Sequence, residues 1–191
     1  MENFSSGSQV IKSHLTFSEK EKLYNAFKTI IEIFGDGSDG QKKTPLRMIK
    51  AYEEILTSKL NLDLTTFESN GYDQMIVEKG IKYYTLCEHH FLPFYGEVKI
   101  GYIPNGKIIG LSKLARVVEH FSKRLNTQEY FTKNIANFLN EKLKPKGVGV
   151  VVTGFHLCQA MRGVKKEGEM ITSELIGAFQ DLKVREEFLK L

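Results

Sequence analysis

The sequence predicts an α+β protein in which an N-terminal helical segment precedes an antiparallel sheet. Apolar residues first recur at helical spacing, and from about residue 74 they form short runs rich in Ile, Val, Tyr and Phe. Two further helical segments and two further strands follow. This order of helices, strands, helices and strands is typical of the α+β class and not of a doubly wound parallel sheet. We therefore expect an arm and helical segment over residues 1–73 and a main domain over 74–191.

Length and composition limit the kind of protein. The 191 residues are 41% apolar and 26% charged, which fits one globular domain with a small helical appendage. No apolar run approaches the roughly 20 residues that span a bilayer, and the first residues lack a secretory signal, so we expect a cytoplasmic protein without a membrane partner. The 27 basic and 23 acidic residues are too balanced for a protein that coats nucleic acid. Two cysteines cannot build a disulfide framework.

The first two helices have clear start signals. Ser18 and Glu21 form a predicted capping box for a helix that ends at Gly35. Thr44 is the predicted N-cap of the second helix, with Pro45 as its first residue. Residues 1–16 lack a clear period, and we expect a loose arm there.

Turn residues and caps define the later elements. The segment 104–107 contains Asn105 and Gly106 and is a predicted turn between two strands. Ser112 and Thr127 are the predicted N-caps of two helices. Three further elements are predicted: strands over 148–158 and 171–179, and a terminal helix over 183–191.

Two short windows concentrate the residues that bind metals. Both cysteines and three of the five histidines fall within 87–90 and 156–158. Cys87 and His90 are three residues apart, and Cys158, on an expected neighbouring strand, can complete a three-ligand site. A structural zinc site has four protein ligands, whereas three leave a position for water, whose pKa zinc lowers to about 7. The pattern favours a catalytic metal; a disulfide or two small core residues remain alternatives for the cysteines.

Other polar residues of the chain are suited to binding a nucleotide or to acting on it. His89 and His156 remain beside the metal site and are candidates for proton transfer, because imidazole titrates near neutral pH. Gln128 and Glu129, at a helix start, offer an amide and a carboxylate that can read the donor edge of a guanine. The residues that could converge on phosphate groups are Ser112, Lys113 and Arg116 at a helix start, Arg162 after Cys158, and Arg47 from the same or a neighbouring chain. Each basic residue alone is also typical of a solvated helix surface.

Several motifs of the chain resemble those of GTP cyclohydrolase I. They are CEHHFLPF at 87–94, YIPNGK at 102–107, IGLSKLAR at 109–116, QE at 128–129, HLC at 156–158 and MRGV at 161–164. The resemblance extends from about Thr44 to Leu191. The loop 36–43 and Tyr130 depart from the family pattern, and neither departure affects a metal ligand.

The resemblance implies a fold, an assembly and a set of site residues. The family has the tunnelling fold, an antiparallel sheet with two helices packed on one face, and it forms a toroidal homodecamer with zinc sites near subunit interfaces. The implied roles are Zn2+ ligation by Cys87, His90 and Cys158; catalysis by His89, His156 and Ser112; guanine recognition by Gln128 and Glu129; and ribose or triphosphate contacts by Lys113, Arg116, Arg162 and, from a neighbouring subunit, Arg47.

The resemblance also implies the reaction. It is the zinc-dependent hydrolysis and rearrangement of GTP to 7,8-dihydroneopterin triphosphate with release of formate, the first step of tetrahydrofolate and pterin biosynthesis. One alternative is a sister enzyme of the same fold that makes a cyclic-phosphate pterin or acts on a related purine. A non-enzymatic zinc module for nucleic acid would need a fourth ligand and basic residues interleaved with aromatics, and the sequence has neither. We therefore expect a homo-oligomeric enzyme with GTP as substrate and no nucleic-acid partner.

Overall fold

The computed structural model describes residues 11–60 and 62–191, which fold into two compact units. The first unit ends at Lys59, and the second spans Leu60–Leu191. Helices and a mainly antiparallel sheet confirm the predicted α+β class. No helix in the described ranges is long and apolar enough to cross a membrane. The first ten residues of the predicted arm lie outside the described part of the chain.

The first unit contains helices α1 (Phe17–Phe34) and α2 (Thr44–Leu56). The predicted capping box at Ser18 and Glu21 is wrong, because Thr16 is the N-cap of α1 and pairs reciprocally with Glu19. Both sites have the same spacing of hydroxyl and carboxyl residues, so the pattern alone does not distinguish them. Thr44 is also the first residue of α2 and not its cap, which is Lys43.

The second unit is built on a five-stranded sheet with the order β5-β2-β3-β6-β7. Its strands are β2 (Ile76–Cys87), β3 (Pro93–Ile103), β5 (Leu125–Asn126), β6 (Gly147–His156) and β7 (Glu169–Gly177). The pairs β2 with β3, β3 with β6 and β6 with β7 are antiparallel, and the short β5 pairs in parallel with β2. A separate two-stranded sheet pairs β1 (Thr66–Glu68) with β4 (Lys107–Ile109). The turn predicted at 104–107 connects β3 to β4.

Helices α3 (Leu111–Ser122) and α4 (Gln128–Leu143) pack on one face of the large sheet. Val148, Val150 and Val152 alternate along β6 and are completely buried in the core that these helices share with the sheet. The Thr127 hydroxyl accepts a hydrogen bond from the N–H of Tyr130 at 3.3 Å, which confirms the predicted cap of α4. The cap predicted at Ser112 is wrong: Gly110 is the N-cap of α3 and provides no side chain for capping.

The opposite face of the sheet is covered at one end by the C-terminal segment. This segment consists of a 3-10 turn (Ala178–Gln180) and helix α6 (Leu182–Lys190), which agrees with the predicted terminal helix to within one residue at each end. The rings of Phe179 and Phe188 meet edge to face with centroids 5.1 Å apart and are completely buried. Gly149 lies beneath these rings. Only a glycine fits at this position, because a Cβ there would be only 2.5 Å from the Phe179 ring.

Candidate active site

The turn between β2 and β3 brings Cys87 and His90 together. Cys87 ends β2, and its N–H donates to the carbonyl oxygen of Leu92 at 2.8 Å. The N–H of Phe91 donates back to the carbonyl oxygen of Cys87 at 2.8 Å, and Phe91 has a left-handed backbone with φ 57°. The turn therefore folds back on itself, and His90 Nδ1 lies 3.9 Å from Cys87 Sγ.

Cys158 approaches the same point from the end of β6. The strand predicted over 148–158 is wrong in its last two residues, because β6 ends at His156 and the chain enters the short helix α5 (Leu157–Ala160). Among the described residues, Cys87, His90 and Cys158 form a group whose ligand atoms all lie within 4.8 Å of one another. The two windows that the sequence analysis selected thus meet in space.

The donor set fits a zinc-like metal ion. At a tetrahedral zinc ion with ordinary bond lengths, ligand atoms would be about 3.6–3.8 Å apart. The observed 3.9 Å between Cys87 Sγ and His90 Nδ1 is close to this spacing. Cys87 is buried, Cys158 is half-buried and His90 is exposed, so the group opens toward solvent on the side of the imidazole. Three protein ligands with an open side are typical of a catalytic metal site.

Burial affects how Cys158 ionises. It raises the pKa of the Cys158 thiol, and the neighbouring Cys87 thiol raises it further. The positive charge of Arg162 acts in the opposite direction, which indicates that the predicted arginine lies within electrostatic range of this thiol. Because metal ligation requires the thiolate, binding of a metal ion at this group would release a proton.

The two histidines outside the ligand group have different environments. His89 is exposed, with Nδ1 3.8 Å from Cys87 Sγ and Nε2 3.7 Å from a carboxylate oxygen of Glu88. His156 is half-buried at the end of β6, and burial lowers its pKa while the charge of Glu129 opposes that shift. The structure thus places His89 against Cys87, and it holds His156 in a half-buried setting two residues before Cys158.

Gln128, the first residue of α4, is only 1% exposed. Its amide oxygen lies 2.8 Å from His156 Nε2, and its amide nitrogen donates to the carbonyl oxygens of Met170 at 2.9 Å and Val152 at 3.1 Å. Glu129, the next residue, is exposed and lines an open cavity of about 380 Å³ together with residues of β7. Of the two residues predicted to bind guanine, Gln128 therefore uses its amide for hydrogen bonds within the protein, whereas the carboxylate of Glu129 faces solvent.

Four of the five predicted phosphate residues are exposed, and the fifth, Lys113, is half-buried. Ser112 and Arg116 are exposed near the start of α3, whose first turn contains no acidic residue and so suits an anion. Lys113 Nζ donates to the carbonyl oxygen of Asp63 at 2.9 Å. Arg162 is exposed after α5, and Arg47, in the first unit, donates to the carbonyl oxygen of Gly40 at 3.1 Å. Their convergence on one triphosphate stays a prediction.

A family comparison agrees with the geometry of this site. The model of the family described as GTP cyclohydrolase I matches residues 23–191, which is most of the chain. The chain belongs to the GTP cyclohydrolase I family. It is 49% identical to GTP cyclohydrolase 1 of Aquifex aeolicus (strain VF5), over 91% of this chain and 96% of that protein. It is 45% identical to GTP cyclohydrolase 1 of Sulfurihydrogenibium sp. (strain YO3AOP1), over 91% and 95%.

The sequence analysis predicted no role for two residues that shape the site in this member of the GTP cyclohydrolase I family. Phe94 pairs with His156 across β3 and β6, and the two rings stack with centroids 4.4 Å apart and an angle of 7°. Asn126 is buried, and its side-chain amide nitrogen donates to the Thr85 hydroxyl at 2.8 Å, while its backbone carbonyl oxygen accepts from the N–H of Glu88 at 3.1 Å. Neither residue is ionisable, and only the strand register shows what each contacts.

Proposed function

We propose that this chain is a GTP cyclohydrolase I that converts GTP to 7,8-dihydroneopterin triphosphate and releases formate. Family membership supports the proposal, and the observation that carries it is the Cys-His-Cys group of Cys87, His90 and Cys158, with His89 beside Cys87. The reaction would supply the first intermediate of tetrahydrofolate and pterin biosynthesis. A hydrolysis at a ring carbon followed by rearrangement needs both an activated water and proton transfer, and these residues offer both.

We further propose Zn2+ as the metal of this site. Cys87, His90 and Cys158 would hold it, because two thiolates and one imidazole are donors that zinc prefers. When bound, the ion would supply Lewis acidity and a water of lowered pKa for hydrolysis at C8 of the guanine. The buried thiol of Cys87 and the exposed imidazole of His90 leave access for a substrate from the imidazole side.

The histidines would move protons. His89 or His156 donates a proton to the imidazole ring of the base while the bond at C8 breaks, and a second hydrolysis releases C8 as formate. His156 and Ser112 then assist the rearrangement of the opened ribose to a ketose before the new ring closes. Burial lowers the pKa of His156 and so favours the neutral imidazole, which means that His156 would first accept a proton before it donates one.

The remaining predicted residues would bind GTP. The exposed carboxylate of Glu129 matches the donor edge of guanine, and Gln128 stays a predicted member of the same pair. Lys113, Arg116 and Arg162 would contact the ribose and triphosphate, with Arg47 supplied by a neighbouring subunit. Arginine is suited to this role because its planar guanidinium binds phosphate oxygens in pairs.

We propose a cytoplasmic homodecamer whose active sites lie at subunit interfaces and whose residues 74–191 form the catalytic domain. Exposed apolar side chains on α1 support assembly: Phe17 is 85% exposed, Ile33 66% and Phe34 83%. Phe17 lies at the start of α1, whereas Ile33 and Phe34 are neighbours at its end, and adjacent exposed apolar side chains of this kind can mark a subunit contact.

The decisive experiment is incubation of the purified chain with GTP. Formate and, after mild oxidation, fluorescent neopterin are measured before chelation, after chelation and after zinc add-back. We expect both products, their loss with chelator and their return with zinc. Formate without neopterin triphosphate would favour the sister enzyme of the same fold, and no turnover by metal-loaded protein would contradict the proposed substrate.

A further inference from the structure

The hydrogen bonds of the Gln128 side chain determine which way round its amide lies. The amide nitrogen faces two carbonyl oxygens, those of Met170 at 2.9 Å and Val152 at 3.1 Å. A carbonyl oxygen can only accept, so an amide oxygen at this position would be repelled by both. The nitrogen must therefore be the atom that faces β6 and β7, and the oxygen must lie on the other side.

Two threonine hydroxyls support the same orientation. The Thr132 hydroxyl donates to the backbone carbonyl oxygen of Gln128 at 2.7 Å, so its oxygen is left to accept from the Thr172 hydroxyl at 2.6 Å. The proton of Thr172 is then committed, and its oxygen accepts from the amide nitrogen of Gln128 at 3.2 Å. Each donor in this chain of hydrogen bonds meets an acceptor only when Gln128 Nε2 is the donor.

The orientation of the amide determines the tautomer of His156. Gln128 Oε1 lies 2.8 Å from His156 Nε2, and an amide oxygen can only accept a hydrogen bond. His156 Nε2 must therefore carry the proton, which leaves the lone pair of the neutral ring on Nδ1. In a neutral histidine, the hydrogen bond made by one ring nitrogen determines which of the two nitrogens carries the proton.

The position of the ring is determined as well as its tautomer. Phe94 stacks on the His156 ring almost in parallel, at 4.4 Å between centroids. Gly154 leaves the space that the amide occupies, because a Cβ there would be 2.1 Å from Gln128 Oε1 and 2.7 Å from the Tyr83 hydroxyl. A fixed amide, a stacked ring and a glycine thus restrict His156 to one orientation.

We propose that Gln128 is a positioning residue that holds His156 in its Nε2–H tautomer, with the Nδ1 lone pair available for proton transfer. This inference rests on the proposed function, because it gives His156 a step in GTP turnover. It differs from guanine reading, in which the amide of Gln128 would contact the base itself. The two roles make different kinetic predictions, since guanine reading affects substrate binding and positioning affects the chemical step.

Gln128→Met keeps the length of the side chain and removes the amide, and Thr172→Val is its matched control. Thr172→Val removes one partner of Gln128 and leaves the contact with His156. Because a positioned acid–base group contributes about 10²–10⁴-fold to rate, we expect kcat of Gln128→Met to fall at least about tenfold with KM for GTP changed less than about threefold. Thr172→Val should retain most of kcat. Metal content and oligomer mass are measured for both variants to verify folding.

A substrate analogue separates the two roles further. Inosine triphosphate lacks the amino group of guanine, so an enzyme that reads this group through Gln128 loses discrimination against the analogue in Gln128→Met. Under the positioning role, the ratio of kcat/KM for the two nucleotides stays near that of the wild-type chain. A raised KM with unchanged kcat, together with lost discrimination, would overturn the proposal.

The tautomer is measured directly by solid-state NMR on the wild-type chain labelled with ¹⁵N-histidine. Signals of His156 are assigned by their absence in His156→Asn. We expect a proton-bearing Nε2 and a proton-free Nδ1 in the neutral ring, and a mixture of tautomers in Gln128→Met. A wild-type ring that carries its proton on Nδ1 would contradict the proposal. This measurement needs no turnover, so it tests the positioning of His156 even where the GTP assay contradicts the proposed function.

Discussion

At the scale of single side chains, Cys158 is one of the three residues that form the metal group. It is half-buried on α5 and supplies the third ligand atom. We expect Cys158→Ala to lose bound metal and GTP turnover together, because two remaining ligands bind zinc much more weakly than three. Elemental mass spectrometry measures the metal, and formate release measures turnover. Gln159→Ala, an exposed change on the same helix, should keep both, and full metal content in Cys158→Ala would exclude this ligand set.

Glu19 makes the first unit sensitive to pH. Its pKa is lowered from 4.5 to about 2, chiefly by a hydrogen bond from Lys12 and further by the backbone and hydroxyl of Thr16. A lowered folded-state pKa means that the carboxylate stabilises the fold fully above pH 4.5 and that this contribution is lost as the pH falls toward 2. Hydrogen-exchange protection of α1 should therefore be lower in Glu19→Gln than in wild type at pH 7, and the gap should close below 4.5.

The matched control for this pH dependence is Glu21→Gln. Glu21 is exposed and lies outside the capping box that Thr16 and Glu19 form. Its replacement should leave the protection of α1 unchanged across the same range. A gap between Glu19→Gln and wild type that stays constant from pH 7 to acid would show that the carboxylate charge is not its cause.

Some residues of the site could be predicted from the sequence, and others could not. Cys87, His90 and Cys158 could be chosen because few residue types bind metals and all lay in two short windows. The environment of Gln128 could not be predicted, since its partners come from β6 and β7, 24 to 44 positions away along the chain. Side-chain contacts across strands depend on register, which a single sequence does not specify at this level.

At the scale of elements, the start of α1 is stabilised by its cap. The Thr16 hydroxyl accepts from the N–H of Glu19, and the Glu19 carboxylate accepts from the N–H of Thr16. An N-cap threonine contributes about 1 kcal/mol, so Thr16→Ala should raise amide exchange in α1 about fivefold. Ser18→Ala is the matched control, because Ser18 lies inside the helix and alanine is the better helix former. A larger loss in Ser18→Ala than in Thr16→Ala would contradict the observed cap.

Helix α6 and the sheet are joined by a contact that needs a glycine. A Cβ at Gly149 would lie 2.5 Å from the ring of Phe179 and 2.8 Å from that of Phe188, and both rings are completely buried. We expect Gly149→Ala to lower the free energy of unfolding by about 1–3 kcal/mol, as overpacked cores do. Thermal unfolding measures the effect. At Gly168 the nearest atom would be 3.7 Å from a Cβ, so Gly168→Ala should leave the melting temperature nearly unchanged.

Some helices and strands could be predicted from the sequence pattern more accurately than others. Helix α4 was predicted with its cap at Thr127, because sixteen residues with a clear apolar stripe give a strong signal. The short strands β1 and β5 have three and two residues, too few for any period to be visible. Residues 157 and 158 are wrongly predicted as strand, because no proline or glycine separates His156, the end of β6, from Leu157, the start of α5.

At the scale of the whole molecule, the proposed site would combine residues of more than one chain. The metal group lies in the second unit, whereas Arg47 lies in the first unit and would be supplied by a neighbouring subunit. In the proposed ring of identical chains, every site would have one metal group and one arginine from a neighbouring subunit. Arg47→Ala alone should raise KM for GTP without a comparable loss of kcat, because phosphate contacts are remote from the reacting carbon.

Mixed assemblies test whether Arg47 acts across the interface. When Arg47→Ala and Cys158→Ala chains are co-expressed in equal amounts, about a quarter of the sites should combine an intact metal group with an intact arginine. A further quarter of the sites have the metal group without the arginine, so activity at low GTP should exceed that of either variant when Arg47→Ala keeps less than about a third of the wild-type kcat/KM. If both residues served the same chain's site, no mixed site would be complete. The control mixes wild type with the double variant: about a quarter of sites are intact when Arg47 acts in trans, but about half when it acts in cis.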